Sequence, residues 1–179
     1  MIMRIVLLRH GETEWNTNNL VLGRTDVPLS DKGRKQAEEV GKQLSTYKID
    51  IIYTSPLKRA VETANIVNNC QKDKCSCVVS LCLIEQNFGI FEGVNRSLVD
   101  YQMEKRQYFK RYKNGESYFD VAARVYPFIE DILKQDRGNI LLVTHGAVCR
   151  IITNYFQDMG NEEFVAFKLR NCEYKVFEL

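Results

Sequence analysis

Met3-Arg4-Ile5-Val6-Leu7-Leu8-Arg9-His10-Gly11 opens on an apolar run and stops at Arg-His-Gly. A run of this kind, bounded by polar residues and a glycine, marks a strand buried on both faces rather than one that alternates between core and water. Such strands belong to parallel sheets covered by helices. The same arrangement recurs at Ile140-Leu141-Leu142-Val143-Thr144-His145-Gly146. Each run therefore delivers a histidine, with a glycine behind it, at its carboxyl end.

Between the two runs the hydrophobic period switches back and forth. Residues 31–47 place Ala37, Val40, Gly41 and Leu44 on one helical face. Residues 49–53 read as a strand that Thr54-Ser55-Pro56 ends, with Ser55 suited to cap a helix and Pro56 to its first position. Leu57, Ala60, Val61, Ala64 and Val67 form the stripe of that helix. Residues 78–83 supply another strand, and 85–93 form a glycine-punctuated loop. Residues 97–112 read as a polar and aromatic helix, followed by a turn at Asn114-Gly115. Ser117 with Asp120 makes a capping box for a helix whose apolar positions include Ala122, Val125, Ile129 and Leu133, with Pro127 expected to kink it or start a new turn. A helix runs from Gly146 to about Phe156, and short strands at 164–169 and 174–177 complete the sheet. This alternation predicts an α/β fold, a three-layer α/β/α sandwich with a mainly parallel central sheet, in which residues 1–179 form a single domain. Ligands of such sheets bind outside the carboxyl ends of the strands.

Composition narrows the function. A chain of 179 residues, 45% hydrophobic and 27% charged, is long enough for a core that needs no staples. No apolar run approaches the roughly 18 residues of a membrane span, and residues 1–8 are too short for a signal peptide, so a cytoplasmic protein with no membrane partner is expected. A net charge of +2, with basic residues spread along the chain, argues against nucleic acid and for a small anionic partner held locally. Cys70, Cys75, Cys77 and Cys82 cluster, but their spacing lacks paired C-x2-C knuckles and both histidines lie elsewhere, so reduced thiols are expected.

The chain has two histidines, and sheet topology brings both to one edge. Arg9 sets a guanidinium beside His10, and Arg59 lies in the first turn of the helix after Ser55, where it can face the same anion. Two arginines, two imidazoles and a helix terminus suit a dianion such as a phosphoryl group. Glu12 and Glu14 offer no metal-ligand spacing, so neither metal nor cofactor is expected, the cations themselves supplying charge stabilisation.

Leu8-Arg9-His10-Gly11-Glu12-Thr13-Glu14-Trp15-Asn16 resembles the signature of the histidine phosphatase superfamily, the phosphoglycerate mutase-like family. The resemblance continues in Asp26 to Gly33, Thr54 to Ala64, Glu85 with Phe88 to Gly93, Gly115-Glu116-Ser117 with Arg124, and Val143 to Gly146. It implies that His10 attacks phosphorus, that Glu85 protonates the leaving oxygen, and that Arg9, Arg59, His145 and the neighbouring Gly146 hold the phosphoryl group, with Asn16 as a further phosphate contact. Gly23 and Arg24 are expected to meet the rest of the substrate, although Leu22 stands where relatives commonly carry Gln or Thr. Mutases that share these motifs usually carry an insertion before the second histidine, and residues 86–144 lack one. Hydrolysis of a small phosphorylated metabolite is therefore favoured over phosphoglycerate isomerisation, and over a non-catalytic phosphate-binding module. The loop 87–93 and the compact length look similar to α-ribazole phosphatase-like enzymes. The aromatic and basic stretch 101–113 is the expected substrate cap.

Overall fold

The computed structural model describes residues 3–135 and 138–179. Five strands form one sheet: β1 (Arg4–Arg9), β2 (Ile51–Thr54), β3 (Ser76–Val79), β4 (Asn139–Thr144) and β5 (Tyr174–Glu178). Their order is β3-β2-β4-β1-β5, with parallel pairing from β3 through β1 and β5 alone antiparallel.

The two-residue period of a strand sorts the apolar runs onto two faces. Ile5, Leu7, Ile51, Tyr53, Ile140 and Leu142 point to one side. There they meet Val125 and Ile129 of α5 (Tyr118–Leu133), and Val148 and Ile152 of α6 (Gly146–Phe156). Val6, Leu8, Ile52, Leu141 and Val143 point to the other. That face is covered by Val40 and Leu44 of α2 (Asp31–Leu44), and by Ala60, Ala64 and Val67 of α3 (Lys58–Asn69). Three layers result, and each fully buried aliphatic side chain contributes about 1.5–3 kcal/mol. Among the described residues no helix is long and apolar enough to cross a membrane.

Several local expectations give way to tertiary pairing. A short helix, α1 (Glu14–Thr17), forms where none was expected, closed by a capping box between Thr13 and Asn16. Ser55 does not cap α3. The helix starts at Lys58, and the Ser55 hydroxyl accepts from the Leu57 N–H at 3.3 Å while facing the sheet edge. The third strand lies earlier than 78–83, because pairing with β2 aligns Ser76 with Ile51, and Leu81–Leu83 then closes a 3₁₀ turn. Residues 97–112 hold only α4 (Val99–Glu104). Phe88, Phe91, Tyr101 and Tyr112 pack ring to ring, with centroids 5.3–6.3 Å apart, and a straight helix cannot bring Tyr101 and Tyr112 onto one such cluster. The capping box at Ser117 and Asp120 is present. Helix α5 runs on through Pro127 as one element; Ala122 and Leu133 pack against the core half-buried, and Val121 and Ile132 are buried beside them. The strand expected at 164–169 is absent. Helix α7 (Asn161–Ala166) stands there, because β5 already occupies the edge beside β1. All six cysteines are free thiols.

Candidate active site

Parallel pairing places Arg9 opposite Thr144, so the residues that follow β1 and β4 leave the sheet side by side. The His10 N–H donates to Thr144 O at 3.0 Å, and the Ser55 N–H at the end of β2 donates to Val143 O at 3.1 Å. The imidazoles of His10 and His145 thus lie with their centres 5.0 Å apart and their planes tilted by 57°. The loop after His10 is pinned by close backbone approach: a Cβ on Gly33, in the first turn of α2, would stand 2.0 Å from Glu12 O.

His10 is 2% exposed, and its Nδ1 lies 2.7 Å from Gly11 O. A carbonyl only accepts, so Nδ1 carries the proton and Nε2 keeps its lone pair. Burial, then the charges of Arg59 and Arg9, hold the ring well below the ordinary histidine value of 6.5. The ring is neutral at neutral pH, with the Nε2 lone pair free.

Arg59 is wholly buried behind the two rings. Its Nε donates to His145 Nδ1 at 3.2 Å, its Nη1 to Thr25 O at 2.9 Å and its Nη2 to Gly23 O at 2.7 Å. Burial lowers the guanidinium to about 10, still fully charged at neutral pH. Because Nδ1 of His145 accepts, its Nε2 carries the proton and donates to Ser55 Oγ at 2.6 Å. Burial, then Arg59 and His10, keep His145 too well below 6.5.

Glu85 is 5% exposed at the amino end of α6. Its Oε2 accepts from Ala147 N at 3.3 Å and its Oε1 from Gln86 N at 2.9 Å. Behind it, the Glu85 carbonyl accepts from Arg24 Nε at 3.2 Å and Arg124 Nη2 at 3.4 Å, and Glu116 pairs with both arginines. Gly23 packs against Glu92: a Cβ there would come 2.1 Å from Oε1, which the Arg24 N–H already engages. Gly23 and Arg24 therefore brace the floor and do not line the cavity.

The cavity in front of His10 has a volume of about 340 Å³ and is lined by Arg9, His10, Asn16, Glu85 and Gly146 among others. Arg9 Nη1 donates to Leu169 O at 2.7 Å, while its Nε is buried without a partner among the described residues. Asn16 Oδ1 accepts from Thr13 N and Asn171 Nδ2, both at 3.2 Å, which orients its amide beside the cavity. The Gly146 Cα sits against both groups that matter, since a Cβ would lie 3.8 Å from Glu85 Oε2 and 3.9 Å from Arg9 Cζ. Arg59 and His145 stand directly behind this wall.

Of the stretch 101–113, Tyr101, Gln102 and Lys105 reach the cavity. Arg96, Arg150 and Lys168 also line it, and reasoning from sequence did not single them out. Arg150 had a signal: it follows Gly146 by four residues in a helix, hence on the same face. Arg96 comes from a segment without a period and had none, and Lys168 lies in the stretch expected to be a strand, where nothing tied it to the cavity.

Residues 5–179 match the family model of the histidine phosphatase superfamily, branch 1. The 2,3-bisphosphoglycerate-dependent phosphoglycerate mutase of Bartonella henselae is 34% identical over 180 residues, which cover 92% of this chain and 86% of that enzyme. Phosphoserine phosphatase of Entamoeba histolytica, solved with 3-phosphoglyceric acid, superposes with a TM-score of 0.84 at 28% identity, covering 98% of this chain and 90% of that one. A structure from Escherichia coli, provisionally named an α-ribazole-5′-P phosphatase, superposes with a TM-score of 0.84 at 26% identity over 99% of this chain and 91% of that one. With the two strand-end histidines, the arginines and Glu85 in one place, and a family match over almost the whole length, this chain belongs to branch 1 of the histidine phosphatase superfamily.

Proposed function

We propose that the chain hydrolyses a small phosphomonoester by two successive in-line transfers through His10 Nε2. The observation that carries this reading is the Nδ1–H bond from His10 to Gly11 O, which leaves Nε2 unprotonated and aimed away from the backbone. In the first transfer Nε2 attacks phosphorus, the ester P–O bond breaks, and Glu85 gives its proton to the departing alkoxide. In the second, Glu85 takes a proton from water, the resulting hydroxide attacks the phosphohistidine, the N–P bond breaks, and inorganic phosphate leaves. Arg9 supplies positive charge and the unpartnered Nε–H to the phosphoryl oxygens, Arg59 adds charge from behind, and Asn16 and the amino end of α6 offer further donors. His145 presents its Nε2–H to a phosphoryl oxygen in exchange for Ser55 Oγ.

Two observations favour hydrolysis. The alignment with the Bartonella mutase runs over 180 residues yet takes up only 92% of a 179-residue chain, so that mutase carries residues with no counterpart here. The Entamoeba neighbour, matched over nearly the full chain, is a phosphatase. The 34% identity to a mutase supports the second reading, isomerisation of a phosphoglycerate.

A panel of phosphomonoesters that includes 3-phosphoglycerate and α-ribazole phosphate, scored for released phosphate and for isomer exchange by NMR, separates these readings. Hydrolysis predicts phosphate release and acid-labile phosphate on the wild-type protein, both lost in His10→Ala. Isomer exchange without net release would establish the mutase instead, and inertness towards every ester without acid-labile phosphate would sink the enzymatic reading.

A further inference from the structure

Arg9, His10 and Asn16 are held together by a turn that arrives from the far end of the chain. Strand β5 pairs antiparallel with β1 as far as Tyr174 opposite Leu8. The ladder then continues beyond the strand: the Arg9 N–H donates to Glu173 O at 3.2 Å, and the Cys172 N–H to Arg9 O at 3.0 Å. Cys172 closes the turn at φ +55°, in the left-handed region that a residue with a Cβ adopts only where its surroundings impose it. Just upstream, Leu169 O accepts from Arg9 Nη1 at 2.7 Å. Asn171 is thereby brought to the end of β1.

The half-buried Asn171 uses one amide nitrogen twice. Its Nδ2 donates to His10 O at 3.0 Å and to Asn16 Oδ1 at 3.2 Å. Backbone groups fix which end of each amide is which. A carbonyl only accepts, so the atom of Asn171 that faces His10 O is the nitrogen. A backbone N–H only donates, so the atom of Asn16 that faces Thr13 N, at 3.2 Å, is the oxygen. The Thr13 hydroxyl reaches the same oxygen at 3.1 Å. Asn16 Oδ1 is thus taken up by Thr13 and Asn171, while Asn16 Nδ2 donates to no group among the described residues and Asn16 lines the cavity. The capping box with Thr13 orients this amide within α1, a single helical turn. Asn171 does what the box cannot, because it ties the amide to the backbone of His10. The Cys172 N–H also approaches His10 O, at 3.3 Å, so that carbonyl keeps a donor without Asn171, and the loss of the Asn171 amide falls on Asn16.

We propose that Asn171 is a positioning residue for phosphoryl transfer: its shared Nδ2 holds the Asn16 amide at a fixed reach from His10, so that the phosphoryl group attacked by Nε2 meets a donor already in place. A donor aimed in advance at the transferred group is effective because it need not reorganise as charge develops. A shift of about 1 Å in such a group can cost on the order of a hundredfold in rate. The proposal rests on the reading of His10 as the nucleophile and of Asn16 as a phosphoryl contact.

The test is a double-mutant cycle between Asn171→Leu and Asn16→Ala, read by calorimetric titration with inorganic phosphate and by kcat/KM on the ester that the wild type turns over fastest. Asn171→Leu keeps the bulk of the side chain and removes its donor; Asn171→Ala takes its place if the leucine variant folds poorly. With Asn16 present, the substitution should weaken phosphate binding and lower kcat/KM about tenfold, as the loss of a well-placed hydrogen bond to a charged group implies. With Asn16→Ala already in place, it should change either quantity by less than about twofold, since coupled residues do not add. A merely structural Asn171 would cause the same loss in both backgrounds, and that result overturns the proposal. So does the absence of any loss when Asn16 is present, or an Asn16→Ala variant that binds phosphate as the wild type does. A wild type that binds no phosphate overturns it as well. Coupled weakening of phosphate binding in a protein that hydrolyses no ester would preserve the positioning role and refute the hydrolase reading, whereas hydrolysis with equal losses in both backgrounds would do the reverse.

Discussion

At the floor of the cavity, His10, His145, Arg59 and Glu85 are buried, and their rings and carboxylate are oriented by backbone groups, by the Ser55 hydroxyl or by one another. At the rim, Lys105 and Lys168 have no carboxylate partner among the described residues, and in the same region of sequence, outside the cavity, Met103 and Phe109 stand in solvent. The floor is made of strand ends locked by the sheet; the rim is made of short helices and loops. The contrast matches two demands on a phosphoryl-transfer site. Charge stabilisation of the transferred group requires dipoles that do not move during reaction. Choosing between esters requires only that a few side chains near the entrance prefer one remainder over another.

The sharpest way to break this comparison is to remove chemistry from the floor. His10→Ala should abolish turnover and acid-labile phosphate, and Glu85→Gln should lower kcat about a hundred- to ten-thousand-fold, the usual contribution of a placed acid–base group. Single lysine substitutions at the rim should change kcat/KM far less; losses of equal size in steady-state kinetics would erase the distinction between the two regions. A second effect concerns stability. Arg59→Met removes the donors to Gly23 O, Thr25 O and His145 Nδ1 at once. Urea denaturation should show a loss of about 3–5 kcal/mol, typical of one partner deleted from a buried polar network, and a loss under about 1 kcal/mol would show that the floor is not held this way.

Acid probes the same region with a smaller effect. Both histidines titrate below 6.5 when folded, chiefly because burial disfavours the charged ring. Below 6.5 the unfolded chain therefore takes up protons that the folded one does not, so their contribution is complete above that pH and declines as pH falls through and beneath it. Each histidine should add about 1.4 kcal/mol of lost stability per pH unit in that window. Denaturation curves between pH 7 and 5 check this, and His145→Asn should flatten the decline; an unchanged slope would contradict the buried neutral state. The same depression keeps Nε2 of His10 unprotonated at pH 6, so activity there should not be limited by loss of the nucleophile. The smallest effect belongs to the surface beyond the rim. Phe109 is 81% exposed, and Phe109→Ser should alter stability by less than about 0.5 kcal/mol. A larger change in the denaturation midpoint would mean that this surface is packed like the floor.

How far each region could be read in advance follows the same division. β1, β4, α2 and α6 were legible because a doubly buried strand and an amphipathic helix each write a period into the chain, and both histidines were legible because they end such strands. Ser55 misled: its local chemistry suits a helix cap, but the sheet edge draws its hydroxyl to His145, and the helix begins at Lys58. The segment 97–112 misled for a different reason. Its aromatic residues are spaced as if for a helix, yet the cluster formed with Phe88 and Phe91 stabilises a folded-back path that no local rule describes. Residues 164–169 carry enough apolar character for a strand, but the edge they would join is occupied by β5. Arg96 lies in a stretch with no period and Lys168 in the stretch expected to be a strand, so nothing before folding ties either to His10.

By itself the amino-acid sequence determined the layer order and the parallel strands that carry His10 and His145, because these depend on burial patterns; it marked Arg9 and Arg59 by their places at a strand end and in the first turn of a helix, and Glu85 only through the family resemblance of its motif. Only the tertiary structure decided that Arg59 stands behind the reacting face with its donors committed to Thr25, Gly23 and His145, that Gly23 and Arg24 brace Glu85 rather than line the cavity, and that Arg96, Lys105, Arg150 and Lys168 converge at the entrance. The physical reason is range: periodicity and capping act within a few residues, whereas the charge gathered around the cavity comes from segments far apart in the chain, brought together by a sheet whose order is not the order of the chain.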